Sequence, residues 1–317
     1  MPRVKYLVKS SALRPLALAS LIANVALIVT GAAVRLTDSG LGCPTWPKCT
    51  DGSYTTTSAM GVHGAIEFGN RMLTFVLAGL AIACFLAALG HPRRKSLVRL
   101  SVAAGLGIPM QGVVGGITVL THLNPWVVGL HFLLSVGVIA LAYALWRRAA
   151  EGDGAPAATV PAPLRVLGRL TALASLAVIA AGVVVTGSGP HSGDRGAKRN
   201  GLDPAAISQV HADLVFLLIG LSVALWFALR AVPAPAAAVR AAGVLILVEL
   251  GQGLIGFVQY FTHLPVLLVG AHMLGAGLVW TSTLAVLWSL RTRPEAVAED
   301  APAPAGEPAR TAPVPAS

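Results

Sequence analysis

Eight apolar segments, each about 20 residues long, recur along this sequence of 317 residues. A helix of about 20 apolar residues is long enough to cross a hydrocarbon core of about 30 Å. Because the core of a bilayer offers no water to backbone amides, such segments cross it as helices whose backbone hydrogen bonds are internal. The sequence therefore predicts an all-α integral membrane protein. The eight predicted transmembrane helices cover residues 15–36, 64–89, 98–120, 125–146, 164–187, 206–230, 238–261 and 265–290.

Composition agrees with this class and excludes a soluble domain. Hydrophobic residues make up 55% of the chain and charged residues only 11%, far from the balance of soluble proteins. Most of the 23 lysines and arginines fall before the first predicted helix, in the loops that follow even-numbered helices, and after the eighth helix. This bias predicts a multi-pass protein of the bacterial cytoplasmic membrane with both termini cytoplasmic. The net charge of +10 then reflects topology and attraction to the lipid bilayer, and does not indicate nucleic acid as a partner.

The second half of the chain repeats the first at an offset of 141 residues. Ala65–Leu80 falls without a gap on Ala206–Leu221, and Gln111–His131 falls on Gln252–His272. Each half has four predicted helices, an even number, so both halves enter the membrane in the same sense. We therefore expect two tandem four-helix bundles related by a pseudo-twofold axis along the membrane normal.

Changes in composition mark the predicted boundaries between these parts. Residues 1–148 form the N-terminal half and residues 164–293 the C-terminal half. Residues 149–163, rich in proline, alanine and glycine, are predicted to be an unfolded cytoplasmic linker. Residues 294–317 are predicted to be a disordered cytoplasmic tail, because they hold too few bulky apolar side chains to pack.

Histidines occupy matched places in the two predicted bundles. At the same offset His131 is paired with His272, whereas His211 is paired with Asn70. All four residues lie one to two turns inside an even-numbered helix, so they share one depth below the outer interface. Imidazoles that face each other across a bundle can ligate a haem iron, and ionisable residues inside a membrane are usually functional. His211 and His272 are therefore the predicted haem-ligand pair; the alternative is a set of interhelical hydrogen bonds.

Three further histidines fall in predicted outer loops. His122 and His263 each stand nine residues before the histidine of helix 4 or helix 8. They are predicted either to hydrogen-bond haem propionates or only to lie at the membrane interface. His191, after helix 5, has no evident partner in the sequence.

Helix 2 contains the polar stretch VHGAIEFGNR. Its Glu67 falls inside the apolar zone, one turn from Asn70 and one from His63. One interpretation is an ion pair with Arg71 at i,i+4. The other is a carboxylate directed at the reacting edge of a ligand in the N-terminal half. The counterpart in the repeat is Ser208, so the carboxylate belongs to the N-terminal half alone.

Two cysteines frame the outer loop after helix 1. Cys43 and Cys49 enclose five residues in CPTWPKC, on the side of the membrane where disulfides persist. A disulfide is the favoured prediction; a metal site is the alternative, although no further soft ligands stand nearby. The matching loop of the second half has no cysteine.

This combination of features resembles the haem A synthase family, membrane enzymes that oxidise the C8 methyl group of haem O to a formyl group. The resemblance covers about residues 15–290 and includes the two four-helix repeats and the cysteine pair that follows VRLTDSGLG. It also includes the IEFGNR stretch of helix 2 and the single histidines of helices 4, 6 and 8.

The resemblance implies a role for each candidate residue. His211 and His272 would ligate a permanent haem B, and His131 would ligate the substrate haem O. Glu67 would act close to the reacting methyl group, and the two loop cysteines would form the family's disulfide. The family often has Glu-x-x-His in helix 2, where this chain has Asn70. The substrate iron is then either five-coordinate through His131 or takes His63 as its second ligand.

The implied function is the formation of haem A for terminal oxidase assembly. The implied partners are haem O and haem A, an electron donor, and the farnesyltransferase that forms haem O; a homo-oligomer is compatible with the sequence. One alternative function is a di-haem b-type cytochrome that relays electrons to or from a quinone, but it does not account for a carboxylate and a cysteine pair that are confined to one half. Another is a transporter built from parallel repeats, which predicts broken helices near the midplane, whereas the polar residues of this sequence cluster toward the outer side.

Overall fold

The computed structural model describes residues 8–91 and 94–294. The predicted tail at 294–317 lies outside these residues except for its first position. Eight long helices, each apolar and long enough to cross a membrane, confirm the predicted all-α membrane class. They are α1 Leu13–Leu36, α2 Gly61–Leu89, α3 Lys95–Leu120, α4 Pro125–Ala149, α5 Ala162–Ser188, α6 Pro204–Arg230, α7 Ala236–Phe261 and α8 Val266–Ser289.

Local capping explains where two of these helices begin. The Asn124 side chain accepts a hydrogen bond from the Trp126 amide at 3.0 Å, just before α4. Asp203 accepts from the amides of the second and third residues of α6, at 3.2 Å each. Both caps are followed by a proline, whose fixed φ suits the first helical position and whose missing N–H would have no partner there.

The helices form two rings of four with the same neighbours in each. In the first ring α1 contacts α2 and α4, and α3 contacts the same two helices; α5 to α8 repeat this order. The rings meet through α1, α4, α5 and α8. Each contact in one half has an equivalent contact in the other half. The pseudo-twofold axis itself stays a prediction.

Two ends of the molecule are distinguished below. The disulfide end carries the loop that contains Cys43 and Cys49, and the linker end carries residues 149–163. Between them the halves are joined by a buried hydrogen bond inside the membrane span, in which the Trp280 indole donates to the Val136 carbonyl at 3.0 Å.

The halves also interlock at the disulfide end. Arg35, in the last turn of α1, donates to the carbonyls of Thr186 at 2.7 Å and His191 at 2.6 Å. The His191 ring nitrogen Nε2 in turn donates to the Leu264 carbonyl at 3.0 Å. The expectation that His191 has no partner is therefore wrong. Its partner is a backbone oxygen, which every residue carries and which leaves no sequence signal.

The linker at residues 149–163 is structured, so the prediction that it is unfolded is wrong. Its strand β1, Ala157–Ala158, pairs antiparallel with β2, Arg291–Thr292, directly after α8. The Thr159 amide extends this contact by donating to the Leu290 carbonyl at 3.1 Å. The linker thus ties the end of the first half to the end of the second.

Two carboxylates in the linker explain why it is ordered. Glu151 lies 3.0 Å from Arg148 and 3.5 Å from Arg291, and it also accepts from the Trp288 indole. Asp153 lies 2.7 Å from Arg94. A prediction of disorder from composition considers apolar bulk, whereas this segment is held by ion pairs with arginines from three separate parts of the chain.

Candidate functional site

The second ring brings His211 of α6 and His272 of α8 together. Their imidazole centroids are 6.3 Å apart and their planes are inclined by 75°. With metal–nitrogen bonds of about 2 Å, and about 1 Å more from nitrogen to ring centre, two imidazoles on one iron have centroids about 6 Å apart. The separation therefore fits a metal ion between the two rings.

Hydrogen bonding also prepares these rings for a ligand. His211 Nδ1 is 3.0 Å from the Val178 carbonyl, which can only accept, so Nδ1 carries the proton and Nε2 keeps its lone pair. Metal-bound histidines usually show this orientation through their second nitrogen. His272 Nδ1 is buried and has no hydrogen-bond partner among the described residues. A buried nitrogen without a partner is expected to bind a group from outside the chain.

His131, His211 and His272 each rest on a glycine of the neighbouring helix. A Cβ atom on Gly182 would lie 3.1 Å from His211 Cε1, and one on Gly256 would lie 3.3 Å from His272 Cε1. In the first ring, a Cβ on Gly115 would lie 3.3 Å from Cε1 of His131. The absent side chains let the rings lie directly against a helix backbone. Gly115 and Gly256 are separated by the repeat offset of 141 residues.

The first ring repeats this setting around His131. Gln111 donates to the His131 carbonyl at 3.3 Å, as Gln252 does to the His272 carbonyl at 2.9 Å. The Nδ1 atom of His131 is likewise buried without a partner in the described part of the chain. The surroundings of His131 in α4 and of His272 in α8 are therefore alike in the two predicted haem sites.

The first ring differs from the second at Asn70, which takes the place of His211. Its side-chain oxygen accepts a hydrogen bond from the Thr30 hydroxyl at 2.8 Å. The amide oxygen is thus already engaged by α1. Position 70 therefore offers no imidazole opposite His131, and its polar oxygen is occupied by a neighbour.

Glu67 is buried, with 5% of its surface exposed, and it forms the predicted ion pair with Arg71 at 2.6 Å. Its other oxygen accepts from the Cys43 backbone N–H. Arg71 also donates to the Cys43 carbonyl at 3.0 Å and to the Thr45 carbonyl at 3.1 Å. The pair therefore holds the cysteine loop down onto α2, a function that the sequence did not suggest.

The predicted disulfide between Cys43 and Cys49 is confirmed, and both cysteines are fully buried. Within this loop the Trp46 ring lies so close to Gly116 of α3 that no Cβ atom could be accommodated there. The loop thus covers the ends of α2 and α3, and its Trp46 ring packs directly against α3.

His63 belongs to a separate cleft at the disulfide end. Its Nδ1 lies 3.0 Å from the Ser39 hydroxyl, and its side chain is exposed. The cleft has a volume of about 530 Å³. It is lined by the two loops that follow α1 and α5 and by the start of α2: Asp38, Leu41, Gly42, Pro44, Met60, His63, Asp194 and Arg195.

The loop histidines His122 and His263 adopt the same unusual backbone conformation. Their φ angles are 53° and 63°, in the left-handed region that few non-glycine residues occupy. Both side chains are exposed. The two loops after α3 and α7 thus present an imidazole to the disulfide end in equivalent ways, and neither ring is buried in the bundle.

The buried carboxylate of Glu249 escaped prediction. Glu249 in α7 is 2% exposed, and one of its oxygens accepts a hydrogen bond from the Ser222 hydroxyl at 2.8 Å. The signal was present, since a single carboxylate interrupts the apolar run VLILVELGQG. The repeat gives it no counterpart, because position 108 is isoleucine.

Comparisons with known proteins agree with the predicted resemblance. Residues 14–190 match the family described as cytochrome oxidase assembly protein, COX15-CtaA. A "Heme A synthase" of Geobacillus kaustophilus is 30% identical over 121 residues, 38% of this chain and 37% of the relative. A "Heme A synthase" of Symbiobacterium thermophilum is 30% identical over 149 residues, 46% of this chain and 47% of the relative.

A third relative carries a different name. A "Protoheme IX farnesyltransferase" of Halobacterium salinarum is 33% identical over 135 residues, 42% of this chain and 30% of the relative. The chain spans less than half the length of each of these relatives. The family match at residues 14–190, in contrast, takes in more than half of the 317 residues of this chain. The chain therefore belongs to the cytochrome oxidase assembly protein family, as its resemblance to the haem A synthases predicts.

Proposed function

We propose that this chain is a haem A synthase-type membrane oxidoreductase that converts the C8 methyl group of haem O to the formyl group of haem A. The observation that carries the proposal is the difference between two otherwise equivalent sites. One ring has the pair His211 and His272, and the other has Asn70 and His131 beside a buried Glu67. A protein that only relayed electrons would be expected to have two complete ligand pairs.

The C-terminal half, residues 164–293, would hold haem B between His211 and His272. The 6.3 Å separation of the two rings supports this assignment. The bond from His211 to the Val178 carbonyl leaves Nε2 of His211 free for iron. Bound there, haem B supplies one-electron chemistry, and the two histidines fix its iron and tune its potential.

The N-terminal half, residues 1–148, would bind the substrate haem O through His131. Because the Asn70 oxygen is engaged by Thr30, the position opposite His131 stays open for oxygen chemistry. His63 is the other candidate ligand for this position. Its contact with Ser39 in the outer cleft favours a role in substrate entry over a role at the iron.

Glu67 is the candidate for the carboxylate beside the reacting methyl group. The methyl carbon would be oxidised twice by dioxygen, first to the alcohol and then to the hydrated aldehyde. Each time one oxygen atom enters the carbon–hydrogen bond and the other leaves as water, with two electrons from the donor and two protons, and the hydrate then loses water. Arg71 and the Cys43 amide keep the Glu67 carboxylate in one place. From there it would stabilise positive charge developing at the methyl carbon or accept its proton.

The loop closed by Cys43 and Cys49 would serve as a fixed lid over this site. Its contacts with Arg71 and with Gly116 of α3 support that role. His122 and His263, presented by equivalent loops, would hydrogen-bond the propionates of the two haems at the disulfide end. We place that end outside the bacterial cytoplasmic membrane and both termini in the cytoplasm, following the distribution of lysine and arginine.

The expected partners are an electron donor and the enzyme that supplies haem O. A relative named protoheme IX farnesyltransferase aligns with 42% of this chain, which supports a close connection to the farnesylation step. Contact with that enzyme, and assembly into a homo-oligomer, are part of this proposal.

Haem extraction from the purified protein tests the proposal. Protein made in cells that also form haem O is expected to yield haem B together with haem O or haem A, and His211→Ala is expected to lose haem B. Two equivalents of haem B per chain, unaffected by the supply of haem O, would instead establish the di-haem electron relay. In that case Glu67 would be a structural residue.

A further inference from the structure

A row of polar residues runs along one face of α7. Glu249, Gln252 and Gln259, with Gly256 between them, stand at intervals of three, four and three residues. Such spacing places them on the same side of a helix, over about 15 Å along its axis. Glu249 is buried, and Gln252 contacts the His272 carbonyl in α8, so this face is directed into the second ring.

Each of these polar side chains has a buried oxygen without a partner. Oε2 of Glu249 and Oε1 of both Gln252 and Gln259 make no hydrogen bond within the described part of the chain. Buried polar atoms in native proteins are almost always paired, and ordered water fills the gaps where the chain supplies no partner. These three oxygens are acceptors to which water molecules could donate, with the His272 ring packed against Gly256 between the two glutamines.

The row belongs to the C-terminal half alone. At the repeat offset its counterparts are Ile108, Gln111, Gly115 and Thr118 in α3. Ile108 stands in the place of Glu249, and Thr118 stands in the place of Gln259. Of the three polar residues, only the glutamine that donates to the histidine carbonyl is kept, as Gln252 and Gln111. The extra polar groups therefore lie in the half that has the complete histidine pair.

We propose that this row is a water-filled proton path from the disulfide end to Glu249. Glu249 takes up a proton when the His211 and His272 site takes up an electron. This inference rests on the proposed haem B at that pair. In a medium of low dielectric constant an added electron is costly unless a positive charge follows it. One electron arrives from a one-electron donor and one proton arrives from water at the disulfide end; both leave on reoxidation.

The surroundings of Glu249 leave it free to change charge. The helices that pack on α7 are α6 and α8, and its one described hydrogen-bond partner is the neutral Ser222 hydroxyl. Asp213 of α6 is exposed and accepts from Gln209 at 2.7 Å. The ionisable residues of α6, α8 and α7 other than Glu249 are His211, Asp213, Arg230, His272, Arg240 and Tyr260.

Glu67 in the first ring is the natural contrast. Its carboxylate is bonded to the Arg71 guanidinium at 2.6 Å and to a backbone amide, so a fixed cation accompanies its charge. Glu249 has a hydroxyl in place of that guanidinium. Glu67 and Glu249, the two buried carboxylates among the described residues, are therefore suited to different tasks, one to a permanent charge and one to a proton that is taken up and released.

A mediated redox titration of the purified holoprotein at several pH values tests this inference. The haem B midpoint potential of the wild type is expected to fall by up to about 59 mV per pH unit, the value for a tenfold change in proton activity with one electron. Glu249→Gln should remove the slope and Glu249→Asp should keep it. Asp51→Asn, in an exposed loop, is the matched control and should behave as the wild type. A slope that survives in Glu249→Gln would overturn the inference.

Two further readouts keep the test independent of activity. The infrared difference spectrum between reduced and oxidised protein should contain a protonated carboxyl band that Glu249→Gln abolishes. Gln259→Leu should leave the equilibrium slope intact but slow proton uptake, followed with a pH indicator after rapid reduction. A normal rate of proton uptake in Gln259→Leu would show that protons do not follow this row of residues. If His211→Ala retained haem B, the proposed function itself would be wrong. If haem B is bound at the pair but its midpoint potential does not depend on Glu249, only the present inference would be wrong.

Discussion

The Arg71 guanidinium lies 2.6 Å from the Glu67 carboxylate within one turn of α2, and both side chains reach beyond the helix to the backbone of the cysteine loop. Arg71 donates to carbonyls of Cys43, Thr45 and Lys48, and Glu67 accepts from the Cys43 amide. The ion pair is therefore the attachment point of the loop as well as a compensation of buried charge.

Arg71→Met is expected to destabilise the protein by about 3–5 kcal/mol, because it leaves the buried Glu67 carboxylate without its cation. Thermal unfolding in detergent measures the change. Arg99→Met removes an exposed arginine of α3 and is expected to have little effect. Equal unfolding temperatures for the two variants would contradict the structural role of the pair.

Glu67→Gln keeps an oxygen that can accept from the Cys43 amide but removes the negative charge. Conversion of haem O to haem A is expected to fall by about 10²–10³-fold, the usual cost of one electrostatic group at a reacting centre. Product analysis by chromatography measures it, with Asp51→Asn as the control. Full conversion in Glu67→Gln would rule out a catalytic role for this carboxylate.

Asn70→His restores at the first site the ligand pair that the second site has. The substrate iron is then expected to become six-coordinate and low-spin. Electron paramagnetic resonance of protein loaded with haem O should show a second low-spin signal that Asn70→Ala lacks. An unchanged spectrum would mean that positions 70 and 131 do not face one iron.

The double change Cys43→Ser with Cys49→Ser opens the loop and allows Trp46 to leave Gly116. For a loop of this length we expect a loss of about 2 kcal/mol. The unfolding temperature of the wild type should fall on addition of a reductant, and that of the double variant should not respond. A reductant effect of equal size in both proteins would assign the change to another cause.

Glu151→Gln removes the charge that gathers Arg148, Arg291 and Arg293 around the linker. The segment around β1 is expected to become sensitive to proteases, while Asp153→Asn, with a more exposed side chain, should have a smaller effect. Limited proteolysis of sealed vesicles of known orientation measures both the change and the side of the membrane on which the linker lies. Resistance of Glu151→Gln would show that strand pairing alone orders the linker.

The helices were predictable because their signal is long and local. Apolar runs of about 20 residues fix the number of spans, and α4 begins at Pro125 as the sequence indicates. The proximity of His211 and His272 was also predictable, because both were placed at one depth in the even-numbered helices of the same half. Depth along a helix then followed from the rise per residue.

The remaining features depend on atoms that composition does not record. His191 bonds to a backbone carbonyl of Leu264, and Arg71 bonds to three carbonyls of one loop. Any residue could supply such oxygens, so no pattern announces them. The linker looked unfolded because its order comes from two carboxylates among arginines that are distant in sequence. Glu249 can be read directly from the sequence, but only the fold shows that its second oxygen has no hydrogen-bond partner among the described residues.

The two halves are pinned to each other at three levels. Arg35 fastens them at the disulfide end, Trp280 binds the Val136 carbonyl in between, and the β1–β2 pair with Glu151 fastens them at the linker end. A body clamped along its whole length cannot rock about its middle as an alternating-access carrier must. Opening the seam between the rings would break these contacts, so we expect entry of the proposed haem substrate to occur between helices of one ring or through a loop.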